Sequence, residues 1–149
     1  MPIEDVVYFG RFIDDVLAVV YVNSEAEALH KCSVIKYDSL EIEWSASDMA
    51  MPFLDLLVYI DQGTGQVEHK PYRKARNHLE QITWASKHPN DIKKGKFMGE
   101  MSHLATLSST QANYLEALDH LSKIYVARGY PPDLIKSWLK GNTSKCWQN

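Results

Sequence analysis

Cysteine is scarce. Cys32 and Cys146 are the two thiols of the chain and lie far apart, which gives no disulfide framework and no zinc-type ligand spacing. Long apolar runs are missing as well: the longest, Val16 to Val22, has seven residues, against roughly 18 or more for a helix that crosses a bilayer. No membrane span and no membrane partner are therefore expected. The opening Met1-Pro2-Ile3-Glu4-Asp5 lacks the basic, apolar and small-residue succession of a signal peptide, so the expected setting is intracellular. Internal repeats and low-complexity segments are absent too, and with 45% hydrophobic and 23% charged residues a disordered or fibrous chain is excluded. The 149 residues suit one compact domain or two small lobes sharing a core, and exclude two large domains.

What the chain does have is a division of charge. Residues 1–69 hold 13 acidic against 3 basic side chains, a balance of −10, and residues 70–149 hold 6 against 13, a balance of +7. Such asymmetry points to one part that handles cations and another that meets a polyanion; the alternative is a dipolar surface without function.

The runs Val6 to Phe9 and Val16 to Val22 are rich in β-branched and aromatic residues and flank Gly10 to Asp15, which reads as a β-hairpin. The second run is nearly continuous, as in a strand buried on both faces. Ser24-Glu25-Ala26-Glu27 forms a capping box. It opens a helix that ends near Tyr37, with Ala28, Leu29, Cys32 and Ile35 as its apolar stripe. Leu40, Ile42 and Trp44 alternate with Glu41 and Glu43 as in a half-exposed strand. Phe53 to Ile60 and Val67 to Tyr72, around the glycine-containing turn 61–66, make a second hairpin. Helical patterns follow. One starts at Asn90 or Asp91 and runs to Leu107. Another starts at Ser109 or Thr110, carries Leu115, Leu118, Leu121, Ile124 and Tyr125 on one face, and stops at Gly129. A short third helix spans Asp133 to Lys140. The expected fold is α+β: a small antiparallel sheet of two β-hairpins plus one helix, then a helical lobe. The expected parts are 1–89, 90–141 and a flexible tail, 142–149.

Asp14-Asp15 sits at the tip of the first hairpin, where adjacent carboxylates repel unless a cation or a hydrogen-bond donor offsets them. Mg²⁺ prefers carboxylate oxygens and keeps waters that phosphates can replace, and two such ions can activate an attacking oxygen and stabilise a leaving one. The bland alternative is a hydrophilic turn. Among the aromatics, Tyr72, Trp84, Tyr130 and Trp138 are candidates for stacking on bases, with Trp138 better suited to a core and Trp84 open to either role.

Phe12-Ile13-Asp14-Asp15 between apolar strands, Phe53-Leu54-Asp55-Leu56, Lys70-Pro71-Tyr72-Arg73-Lys74, Ser86-Lys87-His88-Pro89 and Arg128-Gly129-Tyr130-Pro131 follow one another in this order. The set resembles the C-terminal part of reverse transcriptases of retroelements, most closely Penelope-like and related non-LTR types, over about Tyr8 to Leu139. The resemblance implies that Asp14 and Asp15 are the paired palm aspartates that hold Mg²⁺ or Mn²⁺, Asp14 as the more direct ligand, with Phe12 where tyrosine often stands. It implies that Phe53, Leu54, Asp55 and Leu56 begin the hairpin that supports the primer end, in a partial palm over 1–89, and that 90–141 is a thumb gripping an RNA/DNA or DNA duplex. Arg73, Lys74, Arg76, Lys93, Lys94 and Lys96 are then phosphate contacts.

The family's palm also needs an upstream metal-binding aspartate and fingers, and only thirteen residues precede Asp14. Asp5 would lie at the far end of the strand. The expectation is a polymerase fragment, inactive alone and with an incomplete metal site, working in the nucleus if expressed within a retroelement. Its other expected partners are the missing polymerase portion or a second copy. Two further readings stay open: a non-catalytic duplex-binding module, and a protein-interaction domain derived from a retroelement.

Overall fold

The computed structural model describes residues 5–73 and 81–148. The fold is α+β, with two small sheets, of two and three strands, and five helices among the described residues. The chain divides into two compact units after Val67, and the helices that follow the strands begin at Asn90, where the sequence pattern placed the change.

In the first unit, β1 (Val6–Phe12) and β2 (Asp15–Val20) pair antiparallel, from Val6 with Val20 at the open end to Phe12 with Asp15 at the tip. Gly10 makes room on β1 for the ring of Tyr8, whose hydroxyl would lie 2.5 Å from any Cβ at that position. Helix α1 (Glu25–Cys32) begins as its capping box requires. The Ser24 hydroxyl accepts from the Glu27 amide at 3.2 Å, while the Glu27 carboxylate accepts from the amide of Asn23 at 3.0 Å, one residue further back than the usual reciprocal bond. The helix stops at Cys32, five residues short of the expected end, and the Ser33 hydroxyl donates to the His30 carbonyl at 2.6 Å. Val34 and Ile35, branched at Cβ, follow the break and disfavour another turn.

The second hairpin departs from expectation. Phe53 to Ile60 is not one strand: β3 (Ala50–Phe53) and β4 (Leu56–Ile60) pair antiparallel around Leu54-Asp55. The turn 61–66 forms as expected, with Asp61 Oδ1 accepting from the amides of Gly63 and Thr64 at 2.8 and 2.9 Å. The expected strand at Leu40 to Trp44 makes no ladder among the described residues; an isolated bridge joins Tyr37 and Leu40. Its alternation persists all the same, with Ile42 and Trp44 half-buried between exposed Glu41 and Glu43. Periodicity reports which side chains seek cover, and a strand also needs a neighbour.

This unit has almost no interior. Cys32 is its one buried side chain among the described residues. β2 is half-buried along Val16 to Val20 rather than covered on both faces. It lines an open cleft of about 390 Å³ with α1, the segment 44–51 and β4.

The second unit holds the core. After β5 (Val67–Pro71) come α2 (Asn90–Leu107), α3 (Gln111–Ala127), α4 (Pro132–Leu139) and α5 (Thr143–Gln148). Phe97, Met101 and Leu104 of α2 meet Tyr114, Leu118, Leu121 and Tyr125 of α3, with Tyr130, Ile135 and Trp138 closing the cluster. The spacings of three and four residues put each set on one helical face. Tyr114 takes the buried place that the pattern assigned to Leu115, which is exposed. Helix α3 is capped by Thr110, whose hydroxyl accepts from the Asn113 amide at 3.1 Å, and it is followed by Gly129 at φ +91°. In the expected tail, α5 sets the Trp147 ring nearly parallel to that of Tyr114, centroids 5.3 Å apart.

Candidate functional site

The tip of the first hairpin is a two-residue connection, Ile13-Asp14, closed by the pair Phe12 and Asp15. Ile13 has φ +51°. Positive φ at the first central residue alone is the pattern of type II′ turns, in which glycine is the usual occupant. A β-branched residue there is an outlier, and such outliers concentrate where function holds a backbone in place. Leu54 repeats the geometry at φ +55° in the second hairpin, so Phe12-Ile13-Asp14 and Phe53-Leu54-Asp55 are two copies of one turn.

Asp14 and Asp15 are both exposed at this tip, beside exposed Phe12 and Ile13, the latter 69% accessible. Their oxygens suit a hard divalent cation in kind. They fall short in number, because among the described residues no group of three carboxylate, histidine or thiol side chains is assembled. Asp5 does not help. It lies beyond the open end of the hairpin, with its carbonyl accepting from the Tyr21 amide at 2.9 Å, and its carboxylate pairs with Lys31 at 2.8 Å. The bond that Lys31 donates to Asp5 raises the pKa of Lys31, while the Asn23 amide lowers that of Glu27.

Sequence reasoning passed over two neighbours of the tip. Arg11 donates through Nε to the carbonyl of Ile13 at 2.9 Å, and its guanidinium carbon lies 4.6 Å from the ring centroid of Tyr37. The available signal was an arginine three residues before Asp14 in a stretch with few basic residues; nothing in the order of residues pointed to Tyr37.

The basic candidates separate. Lys93 is buried, 3% accessible, and its ammonium donates to the carbonyls of Trp84 and Ser86 at 2.7 and 2.9 Å. A lysine committed in this way is a structural strut, which corrects its assignment to phosphate. Lys94 is exposed and Lys96 half-buried on the same helix. Lys74 and Arg76 lie outside the described residues. Arg73 lines a cleft of about 220 Å³ with Lys70, Asn113, Glu116 and His120. Its Nη1 and the Oε2 of Glu100 are shielded from water and make no hydrogen bond among the described residues. Burial lowers the pKa of Arg73, and the charge of Glu100 opposes the shift. Lys70 lies 3.7 Å from Glu116.

Two proposed stacking rings are also committed. Tyr130 is buried and donates to the Ile82 carbonyl at 2.9 Å, and Trp138 is a core residue. Trp84, half-buried, packs 5.3 Å from Tyr130 and lies under the Lys93 ammonium, contacts that suit a structural role. Tyr72 stays half-buried.

No family model, curated protein or solved structure matches this chain. Among the described residues no helix is long and apolar enough to cross a membrane.

Proposed function

We propose that the chain is the palm-and-thumb portion of an RNA-directed DNA polymerase of retroelement type. In this reading Asp14 and Asp15 supply two of the carboxylates of a site for Mg²⁺ or Mn²⁺, and the second unit meets the phosphates of a duplex. The observation that carries the reading is the tip itself: two exposed adjacent aspartates, set after a β-branched residue at positive φ on an apolar hairpin. Bound divalent ions would supply activation of a primer 3′ hydroxyl and charge neutralisation at the α-phosphate of a nucleotide. The two aspartates need further ligands, from another stretch of polypeptide or from substrate, so primer extension by this chain alone is expected to be absent. Work within a retroelement would put the protein in the nucleus.

The test has two arms. Mn²⁺ should broaden the amide signals of Phe12 to Val16, and Asp14→Asn with Asp15→Asn should remove the effect. A labelled RNA/DNA hybrid should bind at low salt. Absence of both results removes the polymerase reading, whereas hybrid binding without the metal effect leaves a duplex-binding module. Robust primer extension, abolished by the double substitution, would show that two carboxylates suffice. A protein-interaction role has one specific support, the open apolar cleft along β2, and a second copy or another polymerase segment would suit it.

A further inference from the structure

We infer that Arg11 and Tyr37 are positioning residues that clamp the Ile13-Asp14 turn and thereby set the geometry of Asp14 and Asp15. The consequence for metal rests on the reading of these aspartates as ligands; the clamp itself rests on the geometry. Ile13 stands where glycine is expected, and its branched Cβ makes positive φ unfavourable. Relaxation of the turn would move Asp14, the next residue, and would alter the pairing of Phe12 with Asp15. A contact that holds the Ile13 peptide in place opposes that relaxation.

Arg11 makes this contact from within the hairpin. It pairs with Val16, one step below the tip, and donates Nε–H to the Ile13 carbonyl at 2.9 Å. A hydrogen bond from a long exposed side chain holds little unless the side chain is itself held. Tyr37 does this, with its ring centroid 4.6 Å from the guanidinium carbon. Tyr37 is half-buried and anchored by its carbonyl, which accepts from the Leu40 amide at 2.7 Å. The planar guanidinium is suited to the double task, stacking through its face and bonding through its edge, and lysine is not.

The second hairpin is an internal control. Leu54 has the same positive φ, but Pro52 occupies the position equivalent to Arg11. Leucine is not branched at Cβ and tolerates the conformation better. The clamp therefore sits at the turn that carries both the poorer residue and the aspartate pair.

The experiment compares the full chain with Arg11→Gln, Tyr37→Leu, and Arg11→Gln combined with Ile13→Gly. The backbone is read from the intraresidue amide-to-Hα Overhauser effect, which is strong at positive φ. It should be strong for Ile13 in the parent chain and weak in Arg11→Gln and Tyr37→Leu, while that of Leu54 stays strong throughout. Mn²⁺ affinity at the tip should fall several-fold in Arg11→Gln and return when Ile13→Gly is added, because glycine adopts positive φ without a clamp. A pure charge effect has the opposite sign, since losing a cation beside two carboxylates raises cation affinity. An Ile13 signal unchanged in both single variants overturns the clamp, and so does failure of Ile13→Gly to restore an affinity lost in Arg11→Gln. If the parent tip binds no Mn²⁺, the metal reading falls and the Ile13 signal alone decides the clamp. If Arg11→Gln disorders the hairpin, judged by the β1 and β2 amides, Tyr37→Leu carries the comparison.

Discussion

The ammonium of Lys93 lies 4.7 Å over the ring of Trp84 and bonds to the carbonyl of the same residue at 2.7 Å. One side chain thus ties helix α2 to the segment before it, through its charge and through its donors. Lys94, its neighbour in sequence, is exposed on the same helix.

Replacing Lys93 by alanine leaves two carbonyls without their donor and should cost about 1 to 3 kcal/mol of stability in the second unit, by urea titration. It should leave the salt dependence of hybrid binding as it is. Lys94→Ala with Lys96→Ala should do the reverse: little change in urea midpoint, and a slope of log affinity against log salt shallower by roughly 1 to 2. A steep loss of binding in Lys93→Ala at unchanged stability would return Lys93 to the nucleic-acid surface.

Leu54→Gly removes a side chain from a positive-φ position, where an L residue costs about 1 to 2 kcal/mol, against a backbone entropy penalty of roughly 0.5 to 1 kcal/mol. Hairpin stability, followed by amide exchange of β3 and β4, should be unchanged or slightly raised. Val58→Gly, in the paired part of β4, should lower it.

Alkaline pH should destabilise the second unit. Burial, with smaller help from Cys146, pushes the Tyr114 hydroxyl up to about 12, and Tyr125 and Tyr130 are raised too, chiefly by burial. Unfolded tyrosine ionises near about 10. Above that the unfolded chain holds fewer protons than the folded one, so stability falls as pH rises; it is fully present below the unfolded value. Urea midpoints should drop between about pH 10 and 12, and Tyr114→Phe should make the drop shallower. A flat profile over that range would contradict the burial of these hydroxyls.

Deleting residues 142–149 removes Trp147 from its stack on Tyr114. A stacked pair contributes about 0.5 to 1.5 kcal/mol beyond the area it buries. The truncated chain should therefore lose at least about that much stability, read as a lower urea midpoint, whereas a dispensable tail would leave the midpoint in place.

The sequence by itself determined the local elements. Ser24 and Thr110 act on amides three residues away, Gly129 ends α3 by its own φ, and the periodic apolar faces of α2 and α3 belong to single helices. The first hairpin and its exposed aspartate tip were legible for the same reason, since the turn lies between two strands close in the chain. Tertiary structure decided what depends on distant neighbours. Ile42 and Trp44 kept a strand's alternation, but among the described residues no adjacent strand forms a ladder with them. Lys93 became a strut because Trp84 and Ser86 present carbonyls to it, and Trp147 settled on Tyr114 although its own segment is short and polar. Arg11 met Tyr37, a residue that no spacing linked to it. Spacing encodes which face a side chain takes, while its partner is fixed only when the chain folds back on itself.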